Sequence, residues 1–365
     1  MADLSSQVNL IRVAVPFLMI PPGQVNNGII LTVPDGTAGI NIYGNPALPA
    51  ISSQKFQATI DPSYYMIRAN QPVWLWDVGA KYHLPKKHTL GMNFRFYDLG
   101  EHITVFQGDS VTYQPYELAA SLRYSFQINR YTGFGVAVKY IHSNLTPGLT
   151  LEGTQMIIGQ SLAVDLGFVR RFPSRNGTFD HFLGVSVTSL GMKIRYSRNS
   201  PGDFIPTSLN AGSAFRWNIG ADHNASVSYE CSKLLVPTPP AFYDDSTNLE
   251  GDPVLLAGYD SDVSVFKGLI QSFYDAPGGF VEEWHEINHS FGLVYNYRFM
   301  TAGLGYTWQH PAKGSGECFT AGLSGNFRIS KQNDTRCRIS VSYLWPVRSS
   351  YNKIGCLKAG ISLSI

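Results

Sequence analysis

The sequence predicts an all-β chain: a 14-stranded antiparallel transmembrane β-barrel preceded by an N-terminal hatch or plug segment. Three observations predict it. Apolar and polar residues alternate over stretches of about ten residues, the length a membrane-crossing strand needs. The connections between those stretches alternate between short and long. Finally, charged residues make up only 15% of a chain that holds 21 Phe, 20 Tyr and 35 Gly, while the mean hydropathy is −0.06. Strands facing lipid on one side and a polar lumen on the other give such a balance, because the two faces cancel.

The C-terminal stretch shows the pattern plainly: Leu357, Ala359, Ile361, Leu363 and Ile365 alternate with Lys358, Gly360, Ser362 and Ser364. Leu118, Ala120, Leu122, Tyr124 and Phe126 likewise share one face, and Glu117, Ser121 and Arg123 the other. A soluble β-sandwich also alternates, but its strands average about five or six residues. Many apolar faces also end in aromatics, as at Trp74, Trp76, Tyr140, Trp217, Tyr297 and Trp308, which fits the girdles of a barrel. In order, the strands are expected at 54–61, 74–83, 88–97, 117–127, 133–142, 161–171, 180–190, 208–219, 224–235, 286–297, 300–310, 317–329, 336–346 and 354–365. Long connections then fall at 98–116, 143–160, 191–207 and 236–285, and short ones at 84–87, 128–132, 172–179, 220–223, 298–299 and 330–335. With an even strand count, both ends of the barrel domain (54–365) lie on the short-turn, periplasmic side.

Residues 1–53 do not alternate and are rich in Pro, Gly and Asn. Such a segment lies in the lumen as a plug or hangs in the periplasm, and because Val13 to Ile20 needs apolar cover the sequence leans to the plug. No stretch of 18 apolar residues occurs, and no signal peptide is visible, so a removed signal is expected ahead of this numbering.

Little in the sequence points to catalysis. It contains no GxSxG elbow and no HExxH. Glu282, Glu283, His285, Glu286 and His289 read as a solvated charge patch. Cys231, Cys318, Cys337 and Cys356 form no CxxC. Strands next but one lie about 9–10 Å apart, beyond the reach of a disulfide at roughly 7 Å, so free thiols are expected. No basic stripe supports nucleic-acid binding, and no metal or cofactor is expected. Asp77, Lys81, Arg95, Glu117, Arg123, Lys139 and Asp165 are expected to face the lumen, as an ionic brace between plug and wall or as a polar ligand path.

The longest loop, 236–285, is where function is expected. Pro237-Thr238-Pro239-Pro240 fixes an extended exit from its strand, and Asp275-Ala276-Pro277-Gly278-Gly279 turns sharply back. Between them, Val254-Leu255-Leu256 and Val263 to Ile270 are too apolar for a merely solvated loop.

Several of these motifs resemble the PorV (LptO) family of the type IX secretion system, within the FadL-like superfamily of outer-membrane barrels. The resemblance runs through Val13-Ala14-Val15-Pro16-Phe17-Leu18-Met19-Ile20, Asn45-Pro46-Ala47, His142 to Thr146, Ser232 to Pro240, and Phe273 to Phe280 followed by Glu282-Glu283. Departures occur at Val25 to Asp35, at Tyr43-Gly44 and at the terminal Ile365. The resemblance implies an outer-membrane shuttle and anchor of a Bacteroidetes-type cell, without catalysis. Its implied partners are the giant translocon barrel (SprA, also called Sov), cargo C-terminal secretion domains, a PorU-like sortase, and outer-membrane lipid with lipopolysaccharide. Pro237, Thr238, Pro239, Pro240, Leu255, Leu256, Phe266, Phe273, Asp275, Pro277, Gly278, Gly279 and Phe280 are the expected cargo or partner contacts. Pro16, Phe17, Asn45, Pro46 and Ala47 are the expected hatch residues. The competing expectation is a FadL-like transporter of small hydrophobic molecules.

Overall fold

Alternation along each stretch becomes a strand whose even and odd residues face opposite sides of a closed wall. The computed structural model describes residues 8–23, 30–34, 43–67, 72–106, 109–146, 150–151, 154–198, 200–220, 222–247, 253–314, 316–330, 334–347 and 353–365. Fourteen strands close into one antiparallel barrel, each paired with its neighbour in sequence and the last with the first. They are β1 (Phe56–Ile67), β2 (Val73–Leu84), β3 (His88–Asp98), β4 (Tyr116–Asn129), β5 (Thr132–Asn144), β6 (Gly159–Pro173) and β7 (Phe179–Gly191). The second half comprises β8 (Ser208–Asn218), β9 (His223–Leu234), β10 (Asn288–Tyr297), β11 (Met300–Trp308), β12 (Cys318–Ser330), β13 (Thr335–Pro346) and β14 (Lys353–Ser364). Closure removes the free sheet edges that hydrocarbon cannot solvate.

The faces separate as the alternation requires. On β2, Val73, Leu75, Asp77 and Lys81 are buried, whereas Trp76, Val78 and Tyr82 are exposed to the outside. All seven charges expected in the lumen are buried: Asp77, Lys81, Arg95, Glu117, Arg123, Lys139 and Asp165. Two outward aromatic belts follow. At the short-turn end, Tyr124 packs on His88 and Phe126, and Phe215 on Phe179 and Trp217. At the long-loop end, the outer end by the loop asymmetry of such barrels, Tyr64 packs on Trp74, and Trp345 on Phe319 and Tyr343.

β1 runs past its expected end at residue 61, straight through Pro62. Proline cannot donate to a ladder. The β1–β14 seam accommodates it by leaving a gap between the pairs Ile60↔Ile361 and Ser63↔Lys358. The long loops also hold structure that alternation did not announce. His102–Phe106 pairs with Asp109–Tyr113, and Ala241–Thr247 with Pro253–Ala257. The longest loop adds two short helices, α1 (Val265–Gln271) and α2 (Phe280–His285). None of the four cysteines forms a disulfide.

The described parts of the N-terminal segment pack against inward-facing residues of the barrel. Val15 and Phe17 pack against Leu75, Ala119, Ile141, Ala163, Ile194 and Ile205. Ile30 and Val33 pack on Phe182 and Ala214, and Ala47 and Leu48 on Val169. The apolar core of the molecule is therefore the contact between this segment and the wall. Of the expected hatch, residues 1–7, 24–29 and 35–42 lie outside the described residues.

Candidate functional site: a lumenal segment and a braced outer cap

Two arrays of side chains are built on this wall. One holds the N-terminal segment. Arg95 lies on β3 opposite Asp77 of β2, and its guanidinium makes a forked ion pair with that carboxylate at 2.6 and 3.0 Å. The remaining N–H groups donate to the carbonyls of Phe17 (2.9 Å), Leu18 (3.3 Å) and Ile20 (2.8 Å). Arg123 does the same on β4, donating to the carbonyls of Gly44 (2.8 Å) and Tyr43 (2.5 Å). Lys139 pairs with Asp165 at 3.1 Å, and Lys358 donates to the Pro21 carbonyl at 2.7 Å. Glu230 accepts from the amides of Leu31 and Thr32 at 3.0 and 2.7 Å. A segment without regular structure exposes main-chain groups that must be satisfied inside the barrel. Buried charges of the wall supply the partners, and they are themselves paired or hydrogen-bonded.

Asn45-Pro46-Ala47 now has a mechanical account. The Asn45 amide donates to the carbonyls of Thr32 (3.0 Å) and Phe168 (2.9 Å), while its oxygen accepts from Ala47 N at 2.9 Å. One side chain thereby ties two parts of the segment to β6. Wall glycines make room for it: a Cβ at Gly135 would collide with the Pro46 carbonyl, and one at Gly167 with the Asn45 side chain. Pro16 opens a short 3-10 turn, and Phe17 stacks on Tyr97 with ring centroids 5.9 Å apart.

The second array braces the longest outer loop. Lys233, at the end of β9, binds Glu283 at 2.9 Å and Glu286 at 2.5 Å. Lys313, from the β11–β12 connection, binds Glu282 at 2.5 Å and Glu286 at 2.9 Å. Glu282 also accepts from Gly278 N at 2.6 Å, and Glu283 from Ala276 N at 2.9 Å. Asn9 joins the cluster, donating to the carbonyl of Pro239 (3.0 Å) and to Glu282 (3.1 Å). The expectation of a solvated patch at Glu282, Glu283 and Glu286 is corrected by this geometry. All three are buried, because two lysines that lie far away in sequence neutralise them. Asn9 also places the first described part of the N-terminal segment among the outer loops.

The expected contact residues divide into two groups. Pro237, Thr238 and Asp275 lie in the interior and hold the cap together: Thr238 donates through its hydroxyl to Glu286 (2.6 Å) and through its amide to Asp275 (3.1 Å). Pro239, Pro240, Pro277 and Gly278 are half-buried and Gly279 is exposed at a positive φ of 68°. Leu255, Leu256, Phe266, Phe273 and Phe280 are exposed, and Phe266 reaches 77%. Ile270 and Tyr274, which were not among the expected contacts, are exposed as well, at 67% and 53%. The inner side of α1 packs instead, with Gly268 against Phe204 and Pro237.

Burial, with Glu283 and Glu286 close by, pushes the Asp275 carboxyl up to about 6, against a partial stabilisation by the Thr238 amide. A raised folded-state value means that the closed cap takes up a proton more readily than the opened one. The cap is therefore expected to gain stability as the pH falls through about 6 and to lose that contribution as it rises again. Hydrogen exchange across 235–287 at pH 5 and 7, corrected for intrinsic rates, reads this out. Asp275→Asn should remove the part of the pH dependence that belongs to this group.

Between the segment and the wall of β5 to β13 lies a chamber of about 370 Å³, lined by polar side chains such as Asn210 and Thr307 and by apolar ones such as Leu18, Met19 and Leu344. Among the described residues no group of His, Cys, Asp and Glu can hold a metal ion.

A closed 14-stranded barrel with two outward aromatic belts defines an outer-membrane β-barrel. Two solved structures share the fold. The toluene transporter TodX of Pseudomonas putida superimposes with a TM-score of 0.52 at 11% identity, covering 98% of this chain and 99% of its own. A TodX deltaS2S3 mutant, a monoaromatic hydrocarbon channel, gives 0.50 at 11% identity over 93% and 97%. A FadL homologue of Pseudomonas aeruginosa gives 0.44 at 10% identity over 98% of both chains. No curated protein sequence matches the chain. The family model of PorV, the type IX secretion system protein, matches residues 3–241. The chain belongs to the PorV family and is an outer-membrane component of type IX secretion.

Proposed function

We propose that the chain is a docking platform that binds the C-terminal secretion domain of cargo proteins at the translocon and delivers them to the cell-surface attachment complex. The observation that carries this reading is the apolar face presented by Leu255, Leu256, Phe266, Ile270 and Phe273 on a cap held rigid by a buried ion network. Exposed apolar patches on a rigid support are what protein partners use, since little ordering entropy remains to be lost on binding. The giant SprA-like translocon barrel and a PorU-like sortase are the partners between which cargo would pass. The N-terminal segment acts as a plug, keeping the barrel closed while cargo is held outside.

The competing reading is transport of small hydrophobic molecules. The chamber's lining mixes apolar Leu18, Met19 and Leu344 with buried charges such as Lys139, Asp165 and Glu230, and an apolar ligand there would strip those charges of solvent.

Phe266→Asp combined with Ile270→Asp is expected to weaken cargo binding by about tenfold or more, the loss of roughly 1.4 kcal/mol or more that an apolar anchor carries. Co-purification of cargo C-terminal domains from native membranes measures it. Surface substitutions are cleaner than removing 241–272, a stretch that also contains the buried Val263 and Gln271. Unchanged cargo recovery, or recovery of fatty acid with neither translocon nor cargo, would sink the platform reading.

A further inference from the structure

Helix α2 is amphipathic in an unusual sense. Glu282 and Glu283 face inward and are buried, whereas Phe280, Val281 and Trp284 are exposed at 82%, 54% and 57%. A loop helix standing in water would be arranged the other way round.

Its position explains the inversion. The β8–β9 register pairs Leu209 with Lys233 and Phe215 with Val227, so Lys233 lies on the same face as Tyr229 and Val227, the outward one. The two carboxylates that bind Lys233, Glu283 and Glu286, therefore reach it from outside the wall. His285 adds a second fix. Its ring stacks on His310 at 3.5 Å, and His310 meets the edge of Trp308. Trp308 packs against His289, and His289 against Tyr229 and through it Phe291, all part of the outward aromatic belt. These contacts tie α2 to the outward side of the outer ends of β9 to β11, next to the aromatic belt, so its apolar side can continue the lipid-facing band.

We propose that α2 is seated in the outer leaflet, with Phe280, Val281 and Trp284 resting at the boundary between lipid headgroups and acyl chains. A lysine on the outward face at this depth would otherwise meet that boundary directly. The helix covers it with paired carboxylates and returns an apolar surface to the lipid, where Trp and Phe are favoured. This fixes one end of the cargo-facing cap to the membrane and leaves the α1 face free above it. Phe280, expected from the motifs to meet cargo, is assigned to lipid instead. The assignment does not depend on the cargo reading.

The test uses the full chain in nanodiscs, with tryptophan emission of the wild type compared with that of Trp284→Phe. The difference between the two isolates Trp284. It is expected to be quenched by lipids brominated near the top of the acyl chain and to be shielded from aqueous iodide. Val281→Trp in the Trp284→Phe background should restore a component with the same behaviour, and heat-dependent gel mobility shows that each barrel is folded. A Trp284 component that iodide quenches and brominated lipid does not would overturn the assignment. So would shielding that arises only when a cargo C-terminal domain is added, since the face would then belong to protein.

Discussion

Arg95→Ala is expected to release the N-terminal segment from the lumen and open a conductive path through a barrel that stays folded. The guanidinium is the strongest single tie between wall and segment, joining the Asp77 carboxylate to the carbonyls of Phe17, Leu18 and Ile20. Its removal leaves Asp77 buried without its counter-charge, which costs about 3–5 kcal/mol in buried pairs. Three carbonyls lose a donor at the same time. The wall does not depend on the pair, because fourteen strands hold it by ladder hydrogen bonds around a closed circle. Planar-bilayer conductance and protease sensitivity near residues 8–23 measure the release. The companion variant Asp77→Asn with Arg95→Met separates the two contributions. It removes the stranded charge but not the lost carbonyl contacts, so it should recover barrel stability and remain leaky. Wild-type conductance in Arg95→Ala would show that Arg123, Lys358 and Asn45 suffice to hold the segment.

The wall of this protein was legible because its physics is local. A side chain two residues along a strand returns to the same face, and lipid tolerates no error in that alternation. Glu117, Arg123 and Asp165 could be placed in the lumen from parity alone. The outer cap was opaque for the opposite reason. Glu282 and Glu286 look solvated until Lys313 and Lys233 are brought to them, across 31 and 53 residues respectively. Parity also fails at the end of β9, where Lys233 faces outward yet is buried, because the covering helix is invisible to a two-residue period. Nor does Pro62 end β1: proline cannot donate to a ladder, but here it lies beside an unpaired stretch of seam. The Asn-Pro-Ala element was recognisable as a motif, yet its role required the positions of Phe168 and Thr32.

Gly135→Val is expected to displace the Asn45–Ile51 part of the segment while leaving β5 in place, a second route to a leaky barrel. The Gly135 backbone touches the Pro46 carbonyl, and any Cβ there must push that carbonyl away. On the strand itself the change is favourable, since valine suits a β-strand better than glycine does. The penalty therefore falls on the segment. Overpacking a close contact costs about 1–3 kcal/mol, and moving Pro46 also strains the bonds from Asn45 to Phe168 and Thr32. Gly177→Val supplies the control: that glycine sits in the turn between β6 and β7 with open space around it, far from the segment, although its φ of 70° disfavours a branched side chain. A control that destabilises the barrel slightly without raising conductance, beside a Gly135→Val barrel that conducts at normal stability, would separate segment packing from wall packing. Equal conductance in both would show that the Asn45–Ala47 contact is not what closes the lumen.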